Sequence, residues 1–295
     1  MTRVVDRPSR TLGALGDAWR RFLFGRHAVW LTHGSLIALT AALWWLLAVA
    51  PFWVAFVPGV LLTHRIGVLL HEYLHGIPFR KYRNNLAVYG LFDGLMLMFG
   101  LMELFRGTHL MHHRWLNAEG DNAVRSAQAV AHRNRLLSWL VANEAVQHLL
   151  FLWDALHGGQ PLVRLWRVAA GATLSTACVL CLWQFGRGDM VWKLIAINAF
   201  TVLVPASLRG AIEHHGPPGA TGFANEYRGW ITLFNLNRHV HHHEDMRCPW
   251  YLLQFRTPQP LARWHYFTHW FRVHVRRDYV LMRPMSASDL LPREE

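Results

Sequence analysis

The stretch Asn237–Asp245, NRHVHHHED, places His239, His242 and His243 at relative positions i, i+3 and i+4. On a helix, at about 100° per residue, these imidazoles share one face and His241 points to the other side. A face of that kind can hold a metal ion. The same HxxHH spacing occurs as His109, His112 and His113 in HLMHH, and a shorter pair, His71 and His75, lies in HEYLH. With 20 histidines in 295 residues, about 0.09 copies of HxxHH are expected by chance, so two copies carry information. A bare HxxxH is expected about once, and the pair His265 and His269 therefore carries none.

Composition puts these boxes beside a membrane. Hydrophobic residues make up 53% of the chain, 15 of the residues are Trp, and the apolar residues are bunched into long runs. The net charge of +12 fits either nucleic acid or an anionic membrane surface, and the apolar runs decide for the membrane and against nucleic acid. Three cysteines exclude a disulfide framework, and Cys178 and Cys181, inside an apolar run, read as small packing residues. Six Arg and two Asp in the first 27 residues, ahead of a long apolar run, read as an uncleaved anchor rather than a signal peptide.

Val29 to Ala50 and Phe52 to Leu70 are each long enough to span, joined by almost nothing at Ala50 and Pro51. His64 and Arg65 are expected to snorkel to the interface. Leu86 to Phe105 is apolar but interrupted by Asp93, Gly94 and Gly100. If it crossed, His71 and His75 would lie on the opposite side from His109, His112 and His113. It is therefore expected to enter and return, or to lie along the interface, bending at Gly94. Leu136 to Leu156 reads as an interfacial or protein-packed helix, and Leu165 to Phe185 and Met190 to Leu208 as a second hairpin through a short GRGD link. The expected fold is an all-α integral membrane protein with four transmembrane helices in two hairpins and a cytoplasmic helical cap holding the histidine boxes. Residues 1–28 form a cytoplasmic N-terminal segment, 29–253 the membrane domain, and 254–295 an amphipathic cytoplasmic segment, with a surface helix over Arg263 to Arg277. Of the loop and tail charges only Arg187 falls opposite the boxes, which makes the histidine side the cytoplasm.

Eight or nine imidazoles without thiolate partners point to a borderline transition metal, and their number exceeds what one ion takes, so two metals fit better. The ninth candidate lies in AIEHHG, where His214 follows Glu213 and His215 is an equal alternative. Acids and amides placed to orient the ligands are Glu103, Asp121, Glu144, Glu213, Asn237 and Glu244. Two other readings exist. Glu72 in HEYLH mimics the base of a zinc metalloprotease, but such a site needs three ligands and leaves both HxxHH boxes unused. A haem or metal carrier would place its ligands within the spans instead of past them.

HEYLH, HLMHH, EHHG and NRHVHHHED, in this order around four spans, resemble the membrane-bound fatty acid desaturase and hydroxylase superfamily. EHHG and RHxxHH are most similar to bacterial alkane hydroxylases, and the short chain to carotenoid ketolases. The resemblance covers roughly Val29 to Leu253. It implies a dinuclear iron site held by His71, His75, His109, His112, His113, His214, His239, His242 and His243, with O2 as co-substrate. It also implies a fatty acyl chain, alkane or carotenoid as substrate and a bacterial inner membrane with the site facing the cytoplasm. Electrons would come from a separate ferredoxin, rubredoxin, cytochrome or flavin reductase docking on the Arg-rich face. One departure is Gly210, four residues before His214, where desaturases carry an Asn.

Overall fold

The structure is a computed structural model that describes residues 19, 21–115, 144–157, 162–206, 213, 234 and 237–256. Its elements are helices: α1 (Val29–Val49), α2 (Phe52–Leu74), α3 (Tyr82–Leu95), α4 (Leu101–Trp115), α5 (Glu144–Leu156), α6 (Leu165–Gln184), α7 (Gly188–Thr201), α8 (His239–Glu244) and α9 (Trp250–Leu253). Among the described residues four helices are long and apolar enough to cross a membrane: α1, α2, α6, and α7 with its continuation to Ala206. Exposed Trp30, Trp45, Trp53, Trp166, Trp183 and Trp192 lie within a few residues of the ends of these helices, where amphipathic rings favour the membrane–water boundary.

Pro51 ends α1 and, with φ of −64°, starts α2. The last carbonyls of α1 find partners on α7 and the link before it. Lys193 Nζ donates to Leu47 O at 3.1 Å, Ala50 O at 3.0 Å and Asp189 Oδ2 at 2.8 Å, and Arg187 Nη2 donates to Ala48 O at 2.8 Å. Cations there also complement the negative end of the helix dipole. The apolar core is shared mainly by α1, α2, α3 and α7, with Leu43, Leu47, Ile66, Leu69, Leu194 and Ile197 fully buried.

The segment expected to bend at Gly94 bends a few residues later. Gly94 is still helical, and its missing side chain lets α3 lie against α6, since a Cβ there would sit 2.3 Å from Leu174 Cγ. α3 ends in a Schellman turn: Met98 N–H donates to Asp93 O, Leu97 N–H donates to Gly94 O, and Leu97 takes φ of 51°. From there the chain folds back. Gly100 lies against Val168 and Gly107 against Val163, a walk along α6 towards its start. Tyr89 Oη on α3 donates to Met102 O on α4 at 2.9 Å, so the two helices run side by side.

Non-helical backbone packed between helices needs its polar groups satisfied. Asp93 Oδ1 accepts from Gly100 N–H at 2.8 Å, Ser175 Oγ accepts from Phe99 N–H at 3.0 Å and donates to Asp93 O at 3.1 Å, and Asn198 Nδ2 donates to Met96 O. α5 packs against α4 and is not among the candidate spans. The proposed surface helix over 263–277 lies outside the described residues, as do most of the C-terminal segment and residues 116–143.

Gly100 has φ of 90°, and a Cβ there would meet Val168 O at 2.5 Å. Gly100→Ala should therefore cost at least about 2 kcal/mol, seen as a lowered thermal midpoint in detergent; an unchanged midpoint would show that the turn tolerates a side chain.

Candidate metal centre

The first histidine box sits where a helix is stopped. HEYLHG closes α2 in a second Schellman turn: Ile77 N–H donates to Glu72 O at 3.0 Å, Gly76 N–H to Tyr73 O at 3.1 Å, and Gly76 takes φ of 73°. His71 and His75 thus occupy the last turn and cap of α2. His109, His112 and His113 fill the last turns of α4, and His239, His242 and His243 lie on the short α8.

α8 is too short to hold itself. Arg238 Nη1 donates to Leu253 O at 3.3 Å and to Arg256 O, and Arg256 Nη2 donates to Asp245 Oδ2 at 3.0 Å. Glu72 ties the same region to α1 and α2. Its Oε1 accepts from Trp250 N–H at 2.5 Å, its Oε2 accepts from Thr32 Oγ1 at 2.7 Å, and Trp250 Nε1 donates to Thr32 Oγ1 at 3.2 Å.

Eight of the nine predicted ligands are described, and they converge in two groups. The ligating atoms of His71, His75, His109, His113 and His242 all lie within 4.8 Å of one another, and so do those of His112, His239 and His243. The His113 and His243 rings stack at 4.2 Å where the groups meet. Each HxxHH box is divided between them. α4 gives its i, i+4 pair, His109 and His113, to the first group and His112 to the second; α8 gives His242 to the first and its i, i+4 pair, His239 and His243, to the second. His214, the ninth candidate, lies outside the described residues.

Within the first group the Nε2 atoms of His71, His75 and His109 form a triangle with sides of 2.7, 3.1 and 3.3 Å. A neutral imidazole nitrogen is either a donor or an acceptor. Three mutual neighbours cannot alternate the two roles, so the rings cannot all satisfy one another. A cation at the centre accepts every lone pair, and two ligands at right angles on a metal are about 3 Å apart. The rings are also held neutral, as ligation requires. Burial pushes His75 down to about 3 and His113 down to about 2, and burial followed by the neighbouring imidazoles holds His109 and His242 well below the ordinary value. The donor set therefore fits a borderline transition metal.

The remaining candidates separate clearly. His241 is buried but outside both groups, with Nδ1 3.0 Å from Glu244 Oε2. Glu103 serves the scaffold: it accepts two 2.6 Å bonds from Arg106 and one of 3.0 Å from Arg164 N–H. Glu213 is buried, with Oε2 3.5 Å from His239 Nε2. Asn237 is half-buried next to Arg238, the side chain of Glu144 lies outside the described residues, and so does Asp121.

A cavity of about 150 Å³ opens beside His71. Its walls include Ile66, Leu70, Met102 and Phe105, and its polar residues include Thr63, His64, Tyr89, Asn198 and Thr201. Val202 and Ala206, from a π-helical turn after α7, line it as well. His64, expected at the interface, is instead buried in this wall. The cavity it lines is shared with residues of α3, α4 and α7, which the local sequence around His64 does not announce.

The family model for fatty acid desaturases matches residues 44–273. A Caenorhabditis elegans protein named for sphingolipid delta(4)-desaturase/C4-monooxygenase activity is 23% identical over 232 residues, covering 73% of this chain and 61% of the relative. The chain thus spans about three fifths of that relative's length. No solved structure matches the chain. With four apolar helices and a family match over most of its length, the chain is an integral membrane member of the fatty acid desaturase family, a family of oxidoreductases.

Proposed function

We propose that the chain is an O2-dependent di-iron membrane oxidase, a hydroxylase or desaturase, acting on a C–H bond of a lipid-like substrate such as a fatty acyl chain, alkane or carotenoid. The observation that carries this reading is the convergence of eight imidazoles in two groups at the head of an apolar cavity. His71, His75, His109, His113 and His242 would hold one ion, and His112, His239 and His243, with His214, the other. Iron bound there supplies the activation of dioxygen, with two electrons from outside per turnover.

The protein's part is positioning and exclusion of water. Burial of both groups keeps bulk water from the reacting atoms. The cavity walls hold an apolar chain with one carbon beside His71, so that the position of attack follows from how far the chain can enter. The proposed membrane arrangement is two spanning hairpins within residues 29–253, under a cytoplasmic cap that carries the boxes, in a bacterial inner membrane. A separate ferredoxin, rubredoxin, cytochrome or flavin reductase would dock on the face where Arg80, Lys81, Arg83, Arg114 and Arg247 are exposed.

No observation favours the metalloprotease. Both carboxylate oxygens of Glu72 are committed to Thr32 and Trp250. The family match speaks against a haem or ion carrier.

Purified protein reconstituted with Fe2+ should carry about two iron ions per chain by elemental analysis. His242→Ala should lose iron and substrate oxidation, and His241→Ala should keep both; the reverse pattern would refute the ligand assignment. At Gly67, on the cavity wall, an added Cβ meets nothing within 4 Å. Gly67→Phe should accordingly lower oxidation of a long-chain substrate about tenfold or more with iron content unchanged, and full activity would show that the substrate lies elsewhere. Glu72→Gln should lower the thermal midpoint by the loss of about 1–3 kcal/mol while leaving the iron count intact. A stable variant that had lost only peptide-bond hydrolysis would restore the protease reading.

A further inference from the structure

Among the described residues the two groups of imidazoles are unequal, five against three. Beside the smaller one stands an acid that the histidine pattern does not include. Glu213 and His239 are 2% and 1% exposed, and Glu213 Oε2 lies 3.5 Å from His239 Nε2. The choice of nitrogen is informative. An acid that orients a metal-bound histidine from behind faces the ring nitrogen that does not bind metal. Glu213 faces Nε2, the same atom that lies 2.9 Å from Nε2 of His243. The carboxylate is thus on the ligand side of His239, beside the point on which the two rings converge.

We propose that Glu213 is a direct oxygen ligand of the site built on His112, His239 and His243, which makes the two metal positions chemically different; this rests on the dinuclear reading above. The spacing agrees. With metal–nitrogen and metal–oxygen bonds of about 2.0–2.2 Å, neighbouring ligands at the tetrahedral angle are about 3.4 Å apart. Five neutral imidazoles leave the full charge of the first ion uncompensated, whereas an anionic oxygen at the second favours its more highly charged state. The ligand class expected at the second position is accordingly a harder cation than all-imidazole sites select.

Co2+ serves as the probe, because its visible absorption reports the ligands directly. Titration of the full-length apoprotein in detergent should give two binding steps for the wild type. In Glu213→Gln, which keeps the shape but drops the charge, the first step should be unchanged. The second should be at least about 100-fold weaker, and its absorption bands should shift. Glu213→Asp should recover part of that affinity. A second step that is merely weaker, with an identical spectrum, would show Glu213 to be a supporting hydrogen-bond partner and would overturn the proposal, as would wild-type affinity in Glu213→Gln. If Glu213→Gln does not fold, infrared difference spectra of the wild type on Co2+ binding decide: a shifted carboxylate stretch is expected, and its absence overturns the assignment. A wild type that binds fewer than two Co2+ ions would sink the dinuclear reading itself, whereas a two-ion wild type with an indifferent Glu213 sinks only this inference.

Discussion

Imidazole nitrogens that face one another without enough protons to share dominate this molecule. Three Nε2 atoms in mutual contact cannot be arranged as donors and acceptors. The charged forms are excluded too, because burial penalises several adjacent cations. Such a cluster is unfavourable for folding on its own terms. It persists because α2, α4 and α8 are each fixed by contacts that do not involve the imidazoles, and a cation held there would turn the repulsion into ligation.

Those supports are spread over the chain. α2 is stopped at Gly76, α4 is delivered to the same end by the turn at residues 96–100, and α8 is strapped down by Arg238 and by the Glu72 carboxylate. The turn matters most for topology. Had residues 86–105 crossed the bilayer, the pair on α2 and the box on α4 would face different compartments. Gly94, Gly100, Ser175 and Asn198 let α3 and α4 fold back against α6 and α7 with their backbone groups satisfied. The same fold-back gives the cavity a wall of Met96, Met98, Leu101 and Met102 directly below His71.

Much of this was legible in the sequence because it rests on local periodicity. HxxHH on a helix must present three rings to one side, and His241 in α8 indeed stands apart from both groups. Length and hydropathy located the four candidate spans, and compartment logic required residues 86–105 to turn back. Local pattern does not say where a helix packs. The bend falls at 96–100 and not at Gly94, because Gly94 serves close packing against Leu174. His64 is a cavity residue whose pocket is completed by residues from three distant helices. The division of each HxxHH box between two groups depends on how α4 and α8 are rotated against each other, which no single box encodes. The nitrogen that Glu213 faces is likewise a tertiary fact.

The far end of the bundle carries two cations, Arg187 and Lys193, which at first sight weaken the charge asymmetry that orients membrane proteins. Both are already engaged: they donate to the closing carbonyls of α1, and Asp189 sits 2.8 Å from Lys193 and 3.8 Å from Arg187. Charge spent on a helix terminus and a neighbouring acid leaves a weakened field outside the folded protein. The two cations at this end therefore act first as closures for α1, and the field they present beyond the fold is smaller than a count of basic residues implies.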